Sequence, residues 1–336
     1  MSQDKKKVKL GQFFTKENLW LKTQIIDFIT SSDCHIVYDP YAGGGDILKA
    51  ITKIGITDSF GLDIDETLNW KINDSLEVIP HIENAIIVTN PPYLSNYSAS
   101  RKKIYDSVAK YFEKSIYDDV YLIALDRMLE AQDFIVAIIP ETFINSNYLQ
   151  KDRLCSITVL EDNPFHDTDT PVCVVCFNNV KKDYKDIKVY KNDEYICSLL
   201  ELEKNRLIPK NSVQISFNVL DGWLGLRAVD TTSDDDMLRF DFKENFDYDW
   251  EKGIKVSSRL LSVIDICVPN EDRKSYVDLC NKLLNERREV TSDLIFSPFK
   301  GNMKSGRRRR RLDFRTARAI MELAYEKLYW RENDEK

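Results

Sequence analysis

His35-Ile36-Val37-Tyr38-Asp39-Pro40-Tyr41-Ala42-Gly43-Gly44-Gly45 joins an apolar strand to a glycine turn. The run from His35 to Tyr38 reads as a strand, Asp39-Pro40 ends it, and three glycines allow a tight reversal. Ile47 to Ile54 returns as a helix that stops near Gly55. Downstream, Phe60 to Ile64 predicts a second strand that ends in acids, within Gly61-Leu62-Asp63-Ile64-Asp65. Ala85 to Thr89 predicts a third, entering Asn90-Pro91-Pro92-Tyr93. An amphipathic region, Lys103 to Leu129, precedes a buried strand from Phe134 to Ile139. Ser156 to Leu160 and Val172 to Phe177 are two more strands, joined by a loop with Asn163, Pro164 and Phe165. Upstream, Thr15 can cap a helix that places Leu21, Ile25, Phe28 and Ile29 on one face. Alternating strands and helices of this kind make an α/β fold, a parallel sheet with helices on both faces. Ligands of such sheets bind beyond the carboxyl ends of the strands. The three unusual segments all sit at such ends.

Six strand-like runs imply a first domain spanning 1–180 and a second spanning 181–336. After Val180 the composition shifts, and Gly222, Gly225 and Gly253 interrupt any long helix. The second domain reads as mixed α+β, with short strands at Val213 to Phe217 and Val263 to Val268. A basic loop, Ser305 to Arg311, leads into a helix from Phe314 to Trp330, with Ala317, Ile320, Leu323, Ala324 and Leu328 on one stripe.

The 336 residues are 43% apolar and 31% charged, which excludes disorder throughout and fibrous repeats. No apolar run approaches the ~20 residues of a membrane span, so no membrane partner is expected. The basic N-terminus lacks an apolar core, so no secretory signal is expected either. Seven scattered cysteines suit a reducing compartment, and a cytoplasmic location is expected. Cys173 and Cys176 stand three apart in an apolar strand, on opposite faces, so no metal site is expected.

The formal net charge is −7, but it is unevenly spread. Residues 1–180 hold 17 basic and 26 acidic side chains, and residues 181–336 hold 31 and 29. Lys300 to Arg318 carries nine basic residues against Asp313 alone, while Asp230 to Glu251 carries nine acids and two bases. The first of these stretches suits phosphates, and the second is expected to face solvent. Lys300, Lys304, Arg307, Arg308, Arg309, Arg310 and Arg311 are therefore the expected nucleic-acid contacts.

Three segments carry chemistry. Glycines after a strand let the backbone approach a ligand, and the following helix offers free N–H groups. It is not a P-loop, since no Gly-Lys-Ser/Thr follows. An acid ending the next strand, about 20 residues on, accepts hydrogen bonds from a ribose in such sheets. Asp63 lies closer to the strand than Asp65 and is the better candidate. In Asn90-Pro91-Pro92-Tyr93, two prolines remove N–H donors and stiffen the turn. The Asn90 amide oxygen and the Pro91 carbonyl are then placed to accept hydrogens from one planar amine, and Tyr93 offers a ring for stacking.

With these residues the sequence resembles an S-adenosylmethionine-dependent DNA adenine-N6 methyltransferase, of the type II restriction–modification type in which the cofactor motifs precede a target-recognition domain. Gly11-Gln12-Phe13-Phe14-Thr15 resembles the family's N-terminal cofactor motif, which implies Gln12, Phe14 and Thr15 as cofactor contacts. The glycine segment resembles its cofactor loop, implying Asp39, Pro40, Tyr41, Gly43 and Gly45. Asp63 and Ile64 resemble the ribose acid and the apolar residue against the cofactor adenine. Asn73-Asp74-Ser75-Leu76 resembles the motif whose Asp binds the adenine amino group, implying Asp74 and Ser75. Asn90-Pro91-Pro92-Tyr93 matches the catalytic motif residue for residue, with Asn90 also near the cofactor. Phe134 to Asn145 resembles the strand-and-turn motif that follows, and Asn163-Pro164-Phe165 the one whose aromatic, Phe165, stacks on the extruded base. Asp46 departs from the pattern, in which a small residue or Thr is usual; an acid is still acceptable at a helix N-terminus.

The resemblance covers residues 11 to about 178. It implies a Rossmann-like methyltransferase sheet, S-adenosyl-L-methionine as cofactor, double-stranded DNA as substrate and a flipped target base. It also implies a modification enzyme, with a cognate restriction endonuclease as a potential partner, and a monomer. Methylation of cytosine N4, of RNA or of a protein glutamine amide uses the same acceptor chemistry and stays open, as does a non-catalytic DNA-binding module. A nicotinamide enzyme does not fit, because G-x-G-x-x-G is absent.

Overall fold

The computed structural model describes residues 19–165, 168–253 and 260–329. The chain divides into two compact units, residues 1–200 and 201–336.

In the first unit, the described strands are β1 (Ile36–Asp39), β2 (Ser59–Asp63), β3 (Lys71–Ile72), β4 (Ala85–Thr89), β5 (Ile135–Pro140), β6 (Leu154–Val159), β7 (Val172–Phe177), β8 (Lys188–Lys191) and β9 (Glu194–Ser198). They form one sheet in the order β3-β2-β1-β4-β5-β7-β6-β8-β9. β1, β2, β3, β4 and β5 run parallel, and β7 inserts antiparallel between β5 and β6. Every residue of β4, β5 and β7 is buried, which is why these strands read as unbroken apolar runs rather than alternating ones. Helices α1 (Thr23–Thr30), α2 (Asp46–Lys53), α3 (Asn96–Arg101), α4 (Tyr105–Phe112) and α5 (Val120–Ala131) join them. The order reverses at β1, with β2 on one side and β4 on the other. Beyond the carboxyl ends of those strands lies the crevice where doubly wound sheets hold ligands.

Several expectations change. The region Lys103 to Leu129 is two helices, α4 and α5, separated by residues 113–119. Lys103 turns the chain between α3 and α4 at φ 55°. α1 starts at Thr23 with Lys22 at its N-cap, and Thr15 lies outside the described residues. The first unit continues past Val180 to Leu200, because β8 and β9 extend the sheet as a hairpin. Its outer position leaves Lys188, Glu194 and Tyr195 exposed, which gives this stretch its polar composition.

The second unit holds an antiparallel sheet, β10-β13-β11-β12, made of Ile215–Phe217, Leu261–Ile266, Leu224–Arg227 and Arg239–Phe242. Two helices, α6 (Arg273–Val290) and α7 (Phe314–Tyr329), pack together, and the Tyr276 hydroxyl donates to Met321 O at 2.9 Å. A ribbon of β14 (Ser297–Asn302) and β15 (Arg308–Arg311) completes it.

The arginine run is this last strand, not a loop. Strand alternation turns Arg308 and Arg310 inward, where both are buried, while Arg311 is exposed. Asp230, expected in solvent with the other acids, is fully buried beneath them. Its carboxylate accepts a two-pronged contact from Arg288, at 3.0 and 2.9 Å, and the N–H groups of Arg310 and Leu238 at 2.9 and 2.8 Å. Arg307 donates to Asp293, and Arg309 donates to Asp230 O at 2.8 Å while lying over Phe299. Four of the five arginines therefore spend their charge or packing inside the unit. Lys300, Lys304 and Arg311 remain exposed.

Removing one partner of a buried, hydrogen-bonded ion pair costs about 3–5 kcal/mol, because the other charge is left without compensation. Asp230→Ala is expected to lose that much in urea unfolding, and Arg311→Ala in the same ribbon no more than about 0.5 kcal/mol. Equal losses would show that the buried carboxylate does not organise the unit. Burial raises the Asp293 carboxyl, but Arg288 and Arg307 hold it below its ordinary 3.8. The stability it contributes is present above that value and is lost as pH falls through the lower folded one.

Candidate active site

Two carboxylates build the glycine turn. Asp39, at the end of β1, is buried; its Oδ1 accepts the Tyr41 N–H at 2.9 Å and the Thr89 hydroxyl, tying the ends of β1 and β4 together. Burial pushes its carboxyl up to about 7, and the nearby Asp63 adds to this against the two hydrogen bonds. Asp63, at the end of β2, accepts the Gly43 N–H at 2.8 Å on one oxygen and the Asp65 N–H at 2.9 Å on the other. Gly43 and Gly45 have φ of 50° and 77°, the left-handed region where a side chain is strained. Gly45 is the N-cap of α2.

Trp70 supports this turn, and sequence reasoning missed it. Its indole N–H donates to Gly43 O at 2.8 Å. A Cβ on Gly45 would lie 2.9 Å from the Trp70 ring, and one on Gly61 would lie 2.8 Å from the same ring and 2.5 Å from the Ala42 Cβ. The available signal was Gly61 inside a strand, which marks close approach of a neighbour.

Beyond these strand ends lies a cavity of about 400 Å³, within the ~300–1,000 Å³ of small-molecule sites. Its wall takes Asp39, Pro40, Tyr41 and Gly43 from the turn, Asp63 and Ile64 from the second strand end, Asp74 and Ser75 from the next loop, and Asn90 and Pro92 from the third strand end. Ser107, Val108 and Tyr111 of α4 close one side. Asp74 accepts the Tyr111 hydroxyl and the Lys110 ammonium, each at 2.8 Å, and Lys110 and Lys114 pair with Glu77. These bonds hold α4 against the Asp74 loop. Asp46 and Asp65 also line the cavity, making five carboxylates, and among the described residues no Lys, Arg or His lines it. Ile64 is 53% exposed.

Segments separated by as many as fifty residues thus converge as the sequence implied, with several exceptions. Gly45 packs on Trp70 instead of lining the cavity. Pro91 is buried and outside the wall. Tyr93 and Phe165 do not stand as two parallel faces around a base. Phe165 is buried, and the two rings meet edge-on at 6.1 Å and 70°. The Tyr93 hydroxyl lies 2.5 Å from Asn90 Oδ1 and 2.7 Å from Ile138 O, so its single hydrogen serves one acceptor at a time. The reason is packing: Tyr93 and Phe165 join the apolar core beside β5 and β7. Gln12, Phe14 and Thr15 lie outside the described residues, as does His166. No described helix is long and apolar enough to cross a membrane.

No protein-family model matches the chain, and no curated protein does. Among solved structures it is similar to a putative class I S-adenosylmethionine-dependent methyltransferase from Listeria monocytogenes, at 12% identity and a TM-score of 0.35, over 53% of this chain and 68% of that one. It is also similar to the methyltransferase subunit of a type I restriction-modification system from Streptococcus thermophilus, at 18% identity and a TM-score of 0.38, over 57% of this chain and about half, 52%, of that one. A third likeness is to a putative RNA methyltransferase from Pyrococcus horikoshii, at 17% identity and a TM-score of 0.32, over 52% and 90%.

Proposed function

We propose that the cavity binds S-adenosyl-L-methionine and that the chain methylates the N6 amine of adenine in double-stranded DNA, as the modification enzyme of a restriction–modification system. One observation carries this reading: Asn90 and Pro92 share a single cavity with Asp39, Asp63, Ile64 and Asp74, at the reversal point of a parallel sheet.

The residues present fit the cofactor. It is cationic at sulfur, and the cavity offers five carboxylates and, among the described residues, no Lys, Arg or His. Its ribose needs acceptors, which Asp63 supplies at a strand end. Its adenine needs an apolar face and a partner for the amino group; Ile64 is exposed beside the cavity, and Asp74 stands across it. Glycines at 43 and 44 leave bare backbone for a close approach. When bound, the cofactor supplies an electrophilic methyl group.

The chain's own work is positional. The lone pair of adenine N6 is delocalised into the ring, so the amine is a poor nucleophile. Asn90, in the cavity wall, accepts one of its hydrogens and draws the nitrogen toward a tetrahedral shape; Pro91, expected to supply the second acceptor, lies outside that wall. Tyr93, bonded to the Asn90 amide, fixes the orientation of that acceptor. Holding both reactants in line supplies most of the acceleration. Drawing the base out of the duplex costs a few kcal/mol.

The test is methyl transfer from labelled S-adenosylmethionine to unmethylated genomic DNA, followed by nucleoside digestion and mass spectrometry. N6-methyladenine is expected. N4-methylcytosine would keep the acceptor chemistry and replace the base; transfer only to RNA or protein would overturn the DNA assignment. Asn90→Ala is expected to lower turnover about 10²–10³-fold with nearly unchanged cofactor affinity by calorimetry. A lost cofactor isotherm would instead make Asn90 a cofactor residue.

Asp39 gives the cavity a pH dependence. Its folded value of about 7 lies above the ordinary 3.8, so between these values the folded chain holds a proton that the unfolded chain has released. The ligand-free protein therefore loses stability as pH rises through that window. A cationic ligand favours the ionised form, so cofactor affinity is expected to rise through pH 7 with proton release. Calorimetry in buffers of different ionisation enthalpy reads this directly, and Asp39→Asn should abolish it.

A further inference from the structure

We infer that the segment from Ser95 to Lys103 is a docking rim for the nucleic-acid strand on either side of the target base, with Tyr97 as a stacking platform and Arg101 and Lys103 as phosphate contacts. This rests on the reading of the cavity as one that methylates a nucleobase. Leu94 and Ser107 both line the cavity, so the segment leaves the cavity wall at one end and the chain returns to it soon after the other.

Three observations point to a nucleic-acid strand. First, the cavity wall is anionic. It admits a neutral base but repels the phosphates that flank it, so their charge must be met outside. Second, the rim carries cations. Lys110 on the following helix and Lys114 just past its end are already paired with Asp74 and Glu77. Arg101 and Lys103 are exposed and form no ion pair among the described residues; the Arg101 guanidinium stands 5.9 Å over the Tyr97 ring. Third, of the aromatic pair expected to grip a base, Phe165 is buried in the core and Tyr93 packs edge-on against it, whereas Tyr97 is 71% exposed, more than any other described tyrosine, phenylalanine or tryptophan. An exposed ring beside a cation is what binds successive bases of a single strand without reading their sequence.

The platform is held in place. The Ser95 hydroxyl accepts the Ser98 N–H at 3.1 Å, and the Asn96 N–H donates to Asp118 O at 2.7 Å. Ser95 also pairs with Asp119. The ring therefore stands on an anchored turn, and its exposure is part of the fold.

The experiment titrates the full chain into fluorescently labelled oligonucleotides: single-stranded DNA, duplex DNA and an RNA of the same sequence. Anisotropy is read at several salt concentrations. Arg101→Gln/Lys103→Gln is expected to weaken binding at least tenfold at low salt and to flatten the slope of log affinity against log salt by about 1.4–1.8, from 0.7–0.9 per phosphate contact. Tyr97→Ala is expected to weaken single-strand binding about 5- to 100-fold and leave that slope unchanged. Calorimetry with S-adenosylmethionine verifies that both variants keep an intact cavity. Wild-type affinity and slope in both variants would overturn the rim. Binding of RNA in place of DNA would keep the rim and overturn the DNA assignment. A wild-type chain that binds the cofactor but no polynucleotide would overturn the rim and leave the cofactor site standing.

Discussion

The Asp63 carboxylate ties the candidate site together. One oxygen takes the Gly43 N–H and the other the Asp65 N–H, so a single side chain fixes both the glycine turn after β1 and the loop after β2. Asp39 makes the matching link to β4 through Thr89. Three parallel strands end in a bonded rim, and the cavity is what that rim encloses. The arrangement places two carboxylates close together in a poorly solvated spot, and the rise of Asp39 to about 7 is the consequence. Lys110 and Lys49 offset the charge of Asp74 and Asp46 from outside the wall, whereas Asp39 is relieved by holding a proton.

The second unit solves the opposite problem. Its sequence separates acids from arginines by some seventy residues, and folding brings them together around Asp230. A charge run reads as a solvated or phosphate-binding face only while its partners are unknown. Strand alternation places two of the four arginines in β15 inward, while the guanidinium that pairs with the buried Asp230 carboxylate is that of Arg288 in α6.

The parallel sheet, its strand ends and the convergence of the glycine, acid and Asn90 segments were legible because each rests on a local rule: apolar runs, glycine turns, prolines that stop strands. What escaped depends on long-range packing. Trp70 is one indole among five tryptophans, and only the fold shows that it holds Gly43. Tyr93 and Phe165 read as a base-stacking pair because sequence names the ring and not its direction; their place in the core is set by β5 and β7. β8 and β9 fall in the stretch assigned from sequence to the second domain, because edge strands carry polar side chains.

The charge pattern around the cavity bears on how a polyanion can use an acidic pocket. The overall charge of −7 opposes DNA at long range, and so does the cavity wall. Elsewhere in the same unit the sign changes, from Asp74 and Glu77 in the loop before β4 to Arg101 and Lys103 at the end of α3. Screening over about 8–10 Å at ordinary ionic strength lets such neighbouring patches act independently. A strand held on the outer cations can thus deliver a neutral base inward without carrying its phosphates past the carboxylates. On the proposed reading, the acidity that would suit a cationic cofactor also selects which part of a nucleic-acid substrate enters.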